Sequence, residues 1–406
     1  MTGMITKQTQ QKILFSFLSI ALFSCTGNDL VSQKNENTII KDTVEAKTVH
    51  HVSAASKNTI KLALLLDTSN SMDGLIEQAK SQLWKIVNAL SEAKKDDEFA
   101  TLEIALYEYG NDDLEAREGY VRQVLPFTTD LDTLSHELFA LTTNGGEEYC
   151  GEVIEQSLEQ LIWADDTQCL QVIVIAGNEP FSQGQTNYQN SCETAISNGV
   201  FINTIFCGDM EEGIETKWKD GADLAEGYYG HIDMDEATIY IETPFDEEIN
   251  ALNESLNETY IPIGTKGFNK MNVMQSEDVN ASYYGSSNST ERVIVKGNKN
   301  LYKNSSWDLV DASEKPGFKL SDIKVEDLPK VMREMSYPER EKYLEKMKLK
   351  REEIQEEIRT LADKREKYLQ EKKKEMADSG QDSFEDAIIN AVKEQAIRKG
   401  FVFDVD

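Results

Sequence analysis

Three oxygen-bearing side chains stand at close spacing in Asp67-Thr68-Ser69-Asn70-Ser71. If Asp67, Ser69 and Ser71 converge, one carboxylate and two hydroxyls make a small, hard, all-oxygen site. Such a site suits Mg2+, which keeps several waters and takes few protein ligands, with Ca2+ or Mn2+ as alternatives. The residues before it form an unbroken apolar run, Leu62-Ala63-Leu64-Leu65-Leu66. That run reads as a strand buried on both faces of a parallel sheet. A helical pattern begins directly after the serines. The turn therefore falls at a strand's carboxyl end, where open α/β sheets place their ligands. The competing reading is that Asp67 and Ser69 only cap the next helix.

The elements that must hold this turn follow in order. Leu75, Ile76, Ala79, Leu83, Ile86, Val87 and Leu90 recur at helical spacing. Strands are expected over 99–107 and 120–127, joined by the turn-rich Gly110-Asn111-Asp112-Asp113. So short a link implies one antiparallel edge strand. Helices are expected over 131–141 and 153–163, then strands over 170–176, 200–206 and 228–234. Trp218, Ala222 and Ala225 should face the sheet. Thr243-Pro244 opens a further helix, with Pro at a first-turn position. Strands alternating with helices across 59–263 predict a doubly wound, mostly parallel α/β sheet.

At this point the chain resembles a family. Asp67-Thr68-Ser69-Asn70-Ser71 is similar to the metal-ion-dependent adhesion site of von Willebrand factor type A domains. The resemblance spans residues 59–263 and implies a Rossmann-like sheet. It further implies that Asp67, Ser69 and Ser71 surround a metal, which takes a partner's Glu or Asp carboxylate as an extra ligand. In the family a Thr usually follows the Gly pair of the second loop. Here Glu147 follows Gly145-Gly146, and is the expected fourth ligand, with Thr143 as a nearby substitute. In the third loop the family usually has Thr-Asp-Gly, whereas this chain has Ala176-Gly177-Asn178-Glu179-Pro180. Gly177 takes the Asp position, so that ligand is missing, and Asn178 or Glu179 would have to compensate. One motif is intact and two depart.

The chain has 406 residues, a formal net charge of -31 and 39% hydrophobic residues, enough for a core in part of its length. Two or three domains are expected. The charge excludes nucleic acid, whose phosphates need clustered Lys and Arg, and favours cation binding. Residues 1–25 read as an export signal too short to span a bilayer. It ends in Leu22-Phe23-Ser24-Cys25, which resembles a bacterial lipobox and implies a lipid on Cys25. Residues 26–58 read as a flexible tether containing the solvated pair His50-His51. Residues 264–330 read as a polar linker, low in complexity at 281–290, whose short apolar pieces 292–295 and 307–310 could pack back on the domain.

Residues 331–406 read as a charged helical region. Ser336-Tyr337-Pro338-Glu339 is a capping box, and a long helix should follow it. Met347, Ile354, Leu361 and Tyr368 recur every seven residues. Leu344 and Ile358 partly fill a second seam, which Arg351 and Arg365 interrupt. A coiled coil, a helix laid on a partner or on the α/β domain, and a solvated helix remain open. A final helix over 384–399 is expected to fold back on the long one through Ala387, Ile388, Ala391, Val392 and Ala396.

After Cys25, four cysteines remain. Cys150 and Cys192 each begin near a helix start on the same edge of the sheet, and a Cys150–Cys192 disulfide is expected in an exported protein. Three functions compete. The leading one is a non-enzymatic binding module: an envelope lipoprotein, periplasmic or at the cell surface, held to the membrane by its lipid and contacting a protein partner with the help of Mg2+. The alternative is a structural envelope scaffold with a degenerate metal site. A metal-dependent hydrolase ranks last, because His136 and His231 are isolated and no nucleophile–base pair or phosphate loop is visible.

Overall fold

The computed structural model describes residues 57–165, 168–232, 241–376 and 384–403. Cys25, residues 26–56 of the expected tether and His50-His51 lie outside the described residues. In chain order the strands are β1 (Thr59–Asp67), the short β2 (Ala93–Lys95) and β3 (Glu98–Phe99), β4 (Thr101–Tyr109), β5 (Val121–Thr128), β6 (Leu170–Gly177), β7 (Phe201–Cys207), β8 (Tyr229–Ile232) and β9 (Val402–Phe403). Six of them form one sheet in the order β5-β4-β1-β6-β7-β8, parallel throughout except for the antiparallel edge strand β5. This is a doubly wound α/β sheet.

Every residue of β1 is buried, as its continuous apolar run requires. Leu62, Leu64 and Leu66 enter the core on one face, and Ala63 and Leu65 enter that on the other. From β1 the chain builds outward to β4 on one side, then returns to add β6 on the other. The order reverses between β1 and β6, the position at which such sheets leave a crevice at their carboxyl edge. Asp67 ends β1 there and Gly177 ends β6.

The helices of the sheet domain are α1 (Asp73–Ser91), α2 (Leu131–Ala140), α3 (Cys150–Gln160), α4 (Tyr188–Ser197), α5 (Met210–Glu215) and α6 (Trp218–Leu224). The Ala63 face packs on Val153 and Ile154 of α3, Cys192 and Ala195 of α4, and Trp218 of α6. The Leu64 face packs on α1 and α2, whose buried stripes follow the helical period.

The C-terminal part differs from expectation. After α7 (Asp246–Asn257), the segment read as a linker contains α8 (Gly264–Tyr283), α9 (Ser286–Gly297) and α10 (Leu309–Ser313), and α11 (Lys330–Arg333) begins at its end. Helix α9 touches α1, α7, α8 and α12 (Tyr337–Met376), and forms a second helical layer over the first. Its polar sequence misleads because charges line its inside. Arg292 is fully buried, with its Nε 2.6 Å from Asp278 and its Nη2 2.9 Å from Asp132. Lys296 Nζ, also fully buried, donates to Asp278, Asn253 and Asn257.

Helix α12 opens with the expected box: Ser336 N and Oγ both donate to Glu339 Oε2 at 2.7 Å. Its seam lies on the chain itself rather than on a second helix of a coiled coil. Met347, Ile354, Ile358 and Leu361 are buried, at about 1.5–3 kcal/mol for each fully covered side chain. Arg351 and Arg365, which break the apolar repeat, are 3% exposed and serve as anchors. Arg351 donates to Asp308, Asp311 and the Thr259 carbonyl; Arg365 donates to Asp246, Glu291 and Ser287.

The last helix, α13 (Phe384–Arg398), contacts α1 and strands β6, β7 and β8, so it covers the sheet instead of folding back on α12. Ile388, Val392 and Ala396 are fully buried there. Gln395 and Asn203 of β7 exchange amide hydrogen bonds at 2.7 and 3.1 Å. Strand β9 then pairs with β2. The C-terminal region thus completes the α/β domain, and all described residues belong to one compact unit.

Candidate metal centre

Asp67 is the last residue of β1 and is fully buried. Its Oδ1 accepts the backbone N–H of Ser69 at 2.8 Å, closing an Asx-type turn. Its Oδ2 is buried without any hydrogen-bond donor. The capping alternative fails on geometry: Ser69 precedes the 70–72 turn but its side chain makes no cap hydrogen bond. The Ser69 hydroxyl lies 3.2 Å from the Ser71 hydroxyl instead, and Ser71 Oγ donates to Asn178 Oδ1 at 3.3 Å. The three residues expected to converge do so.

The second loop is laid over this turn by its backbone. Asn144 N donates to the Thr68 carbonyl at 3.0 Å, Asp112 N to the Gly145 carbonyl at 2.5 Å, and Asn111 Nδ2 to the Thr142 carbonyl at 2.9 Å. A Cβ on Gly146 would sit 2.0 Å from the Gly110 carbonyl oxygen, so only glycine permits this approach.

The approach delivers Glu148 to the site rather than Glu147. Glu147 is exposed, whereas Glu148 is 6% exposed and lies beside the Ser69 hydroxyl. The expected residue, Glu147, thus stays at the surface, and the acid brought to the turn is its neighbour. The available signal was alternation: in an extended segment, residues two apart share a side, so Glu148 goes with the buried Cys150. Thr143 does not reach the site, because its hydroxyl bonds the Asp73 carboxylate.

The third loop lacks its acid for a steric reason. A Cβ on Gly177 would stand 2.5 Å from the Tyr109 hydroxyl and 3.0 Å from Asp67 Oδ2. The Tyr109 hydroxyl, donating to the Ala176 carbonyl at 3.0 Å, fills the place a longer side chain would need. Asn178 takes part through Ser71, and Glu179 through its charge on both acids.

Burial, above all, pushes the Asp67 carboxyl up to about 8; the Ser69 amide opposes this and the Glu148 and Glu179 carboxylates add to it. Burial and the Glu179 charge push Glu148 up to about 7 against the Ser69 hydroxyl. Both acids therefore favour a proton, or a cation in its place. The residues fit a small divalent cation in their chemistry: an orphaned carboxylate oxygen, a second carboxylate and two hydroxyls. Among the described residues no group of three or more His, Cys, Asp or Glu is arranged to hold a metal, so a cation here would draw on the serines and on water.

Cys150 and Cys192 are buried free thiols in this structure, not the expected disulfide. Cys150 instead points its thiol at the Tyr109 hydroxyl, 3.8 Å away. His136 is paired with Glu277 at 3.3 Å, in a contact between α2 and α8.

Comparison with protein-family models and with curated proteins finds no match. Solved structures that are similar in part include BatB from Bacteroides thetaiotaomicron, 15% identical over 43% of this chain and 90% of that one, with a TM-score of 0.33. The SpRpn10 VWA domain is 16% identical over 43% and 87% of the two chains, with a TM-score of 0.34. An aerotolerance-related membrane protein from Bacteroides fragilis is 16% identical over 43% and 92%, with a TM-score of 0.30. At these TM-scores the likeness settles neither family nor function.

Proposed function

We propose that this chain carries a type A-like domain that binds a divalent cation, Mg2+ foremost, and uses the loaded edge of its sheet to hold a protein partner without catalysis. Asp67, Ser69, Ser71 and Glu148 would hold the cation, with Glu147 at the rim. A bound cation supplies a positive point charge that accepts oxygen ligands. The protein's residues provide the rest. β1 fixes Asp67, the Asx turn aims the serines, and the glycine contact between loops brings Glu148 within reach. The observation that carries this reading is Asp67 Oδ2, buried at a sheet switch point without a donor.

Cys25 and the apolar stretch before it support a location in the cell envelope, with a lipid on Cys25 as the tether. No helix among the described residues is long and apolar enough to cross a membrane. A second reading, an envelope scaffold with a degenerate site, draws on the Tyr109 hydroxyl filling the third-loop position.

Calorimetric titration with Mg2+ of the wild type and of Asp67→Asn separates the two. Saturable binding that the substitution abolishes supports the first reading. The absence of binding in the wild type leaves the scaffold.

A further inference from the structure

The loops after β1, β4, β6 and β7, together with 142–149, meet at the carboxyl edge of the sheet. Their exposed side chains are strongly one-sided. Asp112, Asp113, Glu115, Glu147 and Asp209 face solvent around the Asp67 site, with Glu179 half-buried among them. Among the described residues of these loops Arg117 is the one base, and it already lies 3.5 Å from both Glu115 and Glu118. The acids of α12 differ, because Lys and Arg alternate with them along the helix and cancel their field.

A one-sided rim acts collectively. At physiological salt, charges within about 8 Å of each other are felt together. The floor of the rim adds Asp67, Glu148 and Glu179, so a single divalent cation does not reverse its sign. Asp67 Oδ2, fully buried and lacking a donor at that floor, also points to an electropositive ligand at this edge. An acidic partner would approach against this field, whereas a basic one is drawn in and oriented by it.

We infer that the partner surface seated on this edge is a lysine- or arginine-rich protein segment, selected by the acidic rim. This rests on the binding-module reading and shares Asp67, Glu147 and Glu148 with the metal site, to which it adds the exposed acids Asp112, Asp113, Glu115 and Asp209.

The probe is an oligolysine peptide, with oligoglutamate of equal length as its counterpart, titrated in Mg2+ and in EDTA over a range of NaCl. Three proteins are compared: wild type, a rim variant (Asp112→Asn, Asp113→Asn, Glu115→Gln, Glu147→Gln), and a control with the same charge change on the exposed face of α12 (Glu345→Gln, Glu352→Gln, Glu353→Gln, Glu357→Gln). The rim variant should bind oligolysine at least about tenfold more weakly and with a flatter salt dependence, and the control should change by about twofold or less. Equal losses in rim and control variants, or tighter binding of oligoglutamate in Mg2+, would overturn the inference. A rim effect without any Mg2+ binding retires the metal reading alone; Mg2+ binding with an inert rim retires the basic partner alone.

Discussion

Two carboxylates, the fully buried Asp67 and the largely covered Asp278, sit in the same chain with opposite electrostatics. Asp67 lies at the sheet edge with one oxygen unpartnered, and burial pushes it up to about 8. Burial alone would also raise Asp278, but Arg292 and Lys296 overturn that and hold it well below the usual carboxylate range. A largely covered charge with a complete set of partners is structural. It fastens α8 to α9, as Arg351 and Arg365 fasten α12 to the rest. A buried carboxylate without a cation is poised for one from outside. The helical layer and the sheet edge are both rich in acids, and only the pairing tells them apart.

The largest expected effect of a single substitution tests the paired member. Asp278→Asn leaves Arg292 and Lys296 short of a counter-charge and should cost about 3–5 kcal/mol in chemical denaturation. A loss no greater than that of a surface change would mean the layer is held by its apolar contacts alone.

Next is pH. Asp67 and Glu148 ionise near 3.8 and 4.5 in the unfolded chain but near 8 and 7 when folded. Between these limits the folded state retains protons that the unfolded state has lost. Stability without metal should therefore fall as pH rises from about 4 to about 8, by up to ~1.4 kcal/mol per pH unit for each carboxyl. Saturating Mg2+ should flatten this slope by replacing the protons. The same slope in Asp67→Asn, Glu148→Gln would assign it to other groups.

The smallest effect concerns the C-terminal helix. Gln395→Ala removes one half of the amide pair with Asn203 and should cost about 1–2 kcal/mol. Hydrogen exchange should rise first in α13 while β1 stays protected. Exchange rising equally in both would mean that α13 and the sheet open as one unit.

How much of this was legible in the sequence follows the same division. The run ending in Asp67 announced its strand, and the period from Leu75 to Leu90 announced α1, because each buried an apolar pattern. The Asp67, Ser69 and Ser71 convergence was legible because it is local. Glu148 was missed by one position because its placement depends on the Gly146–Gly110 contact, which joins two loops. The layer of α8 and α9 was hidden because its interior carries Arg292, Lys296 and Asp278, residue types that otherwise mark surface. Arg351 and Arg365 looked like interruptions of a seam because their partners, Asp308 and Asp246, lie far along the chain.

The most direct measurement is the thermal stability of the wild type and Asp67→Asn at about pH 8, each with and without Mg2+. Without cation, Asp67→Asn should be at least as stable as the wild type, since it removes a buried unpaired carboxylate. With Mg2+, the wild type alone should gain. A wild type indifferent to Mg2+, together with an Asp67→Asn variant that is less stable in both conditions, would show that Asp67 is a structural residue and contradict the cation site.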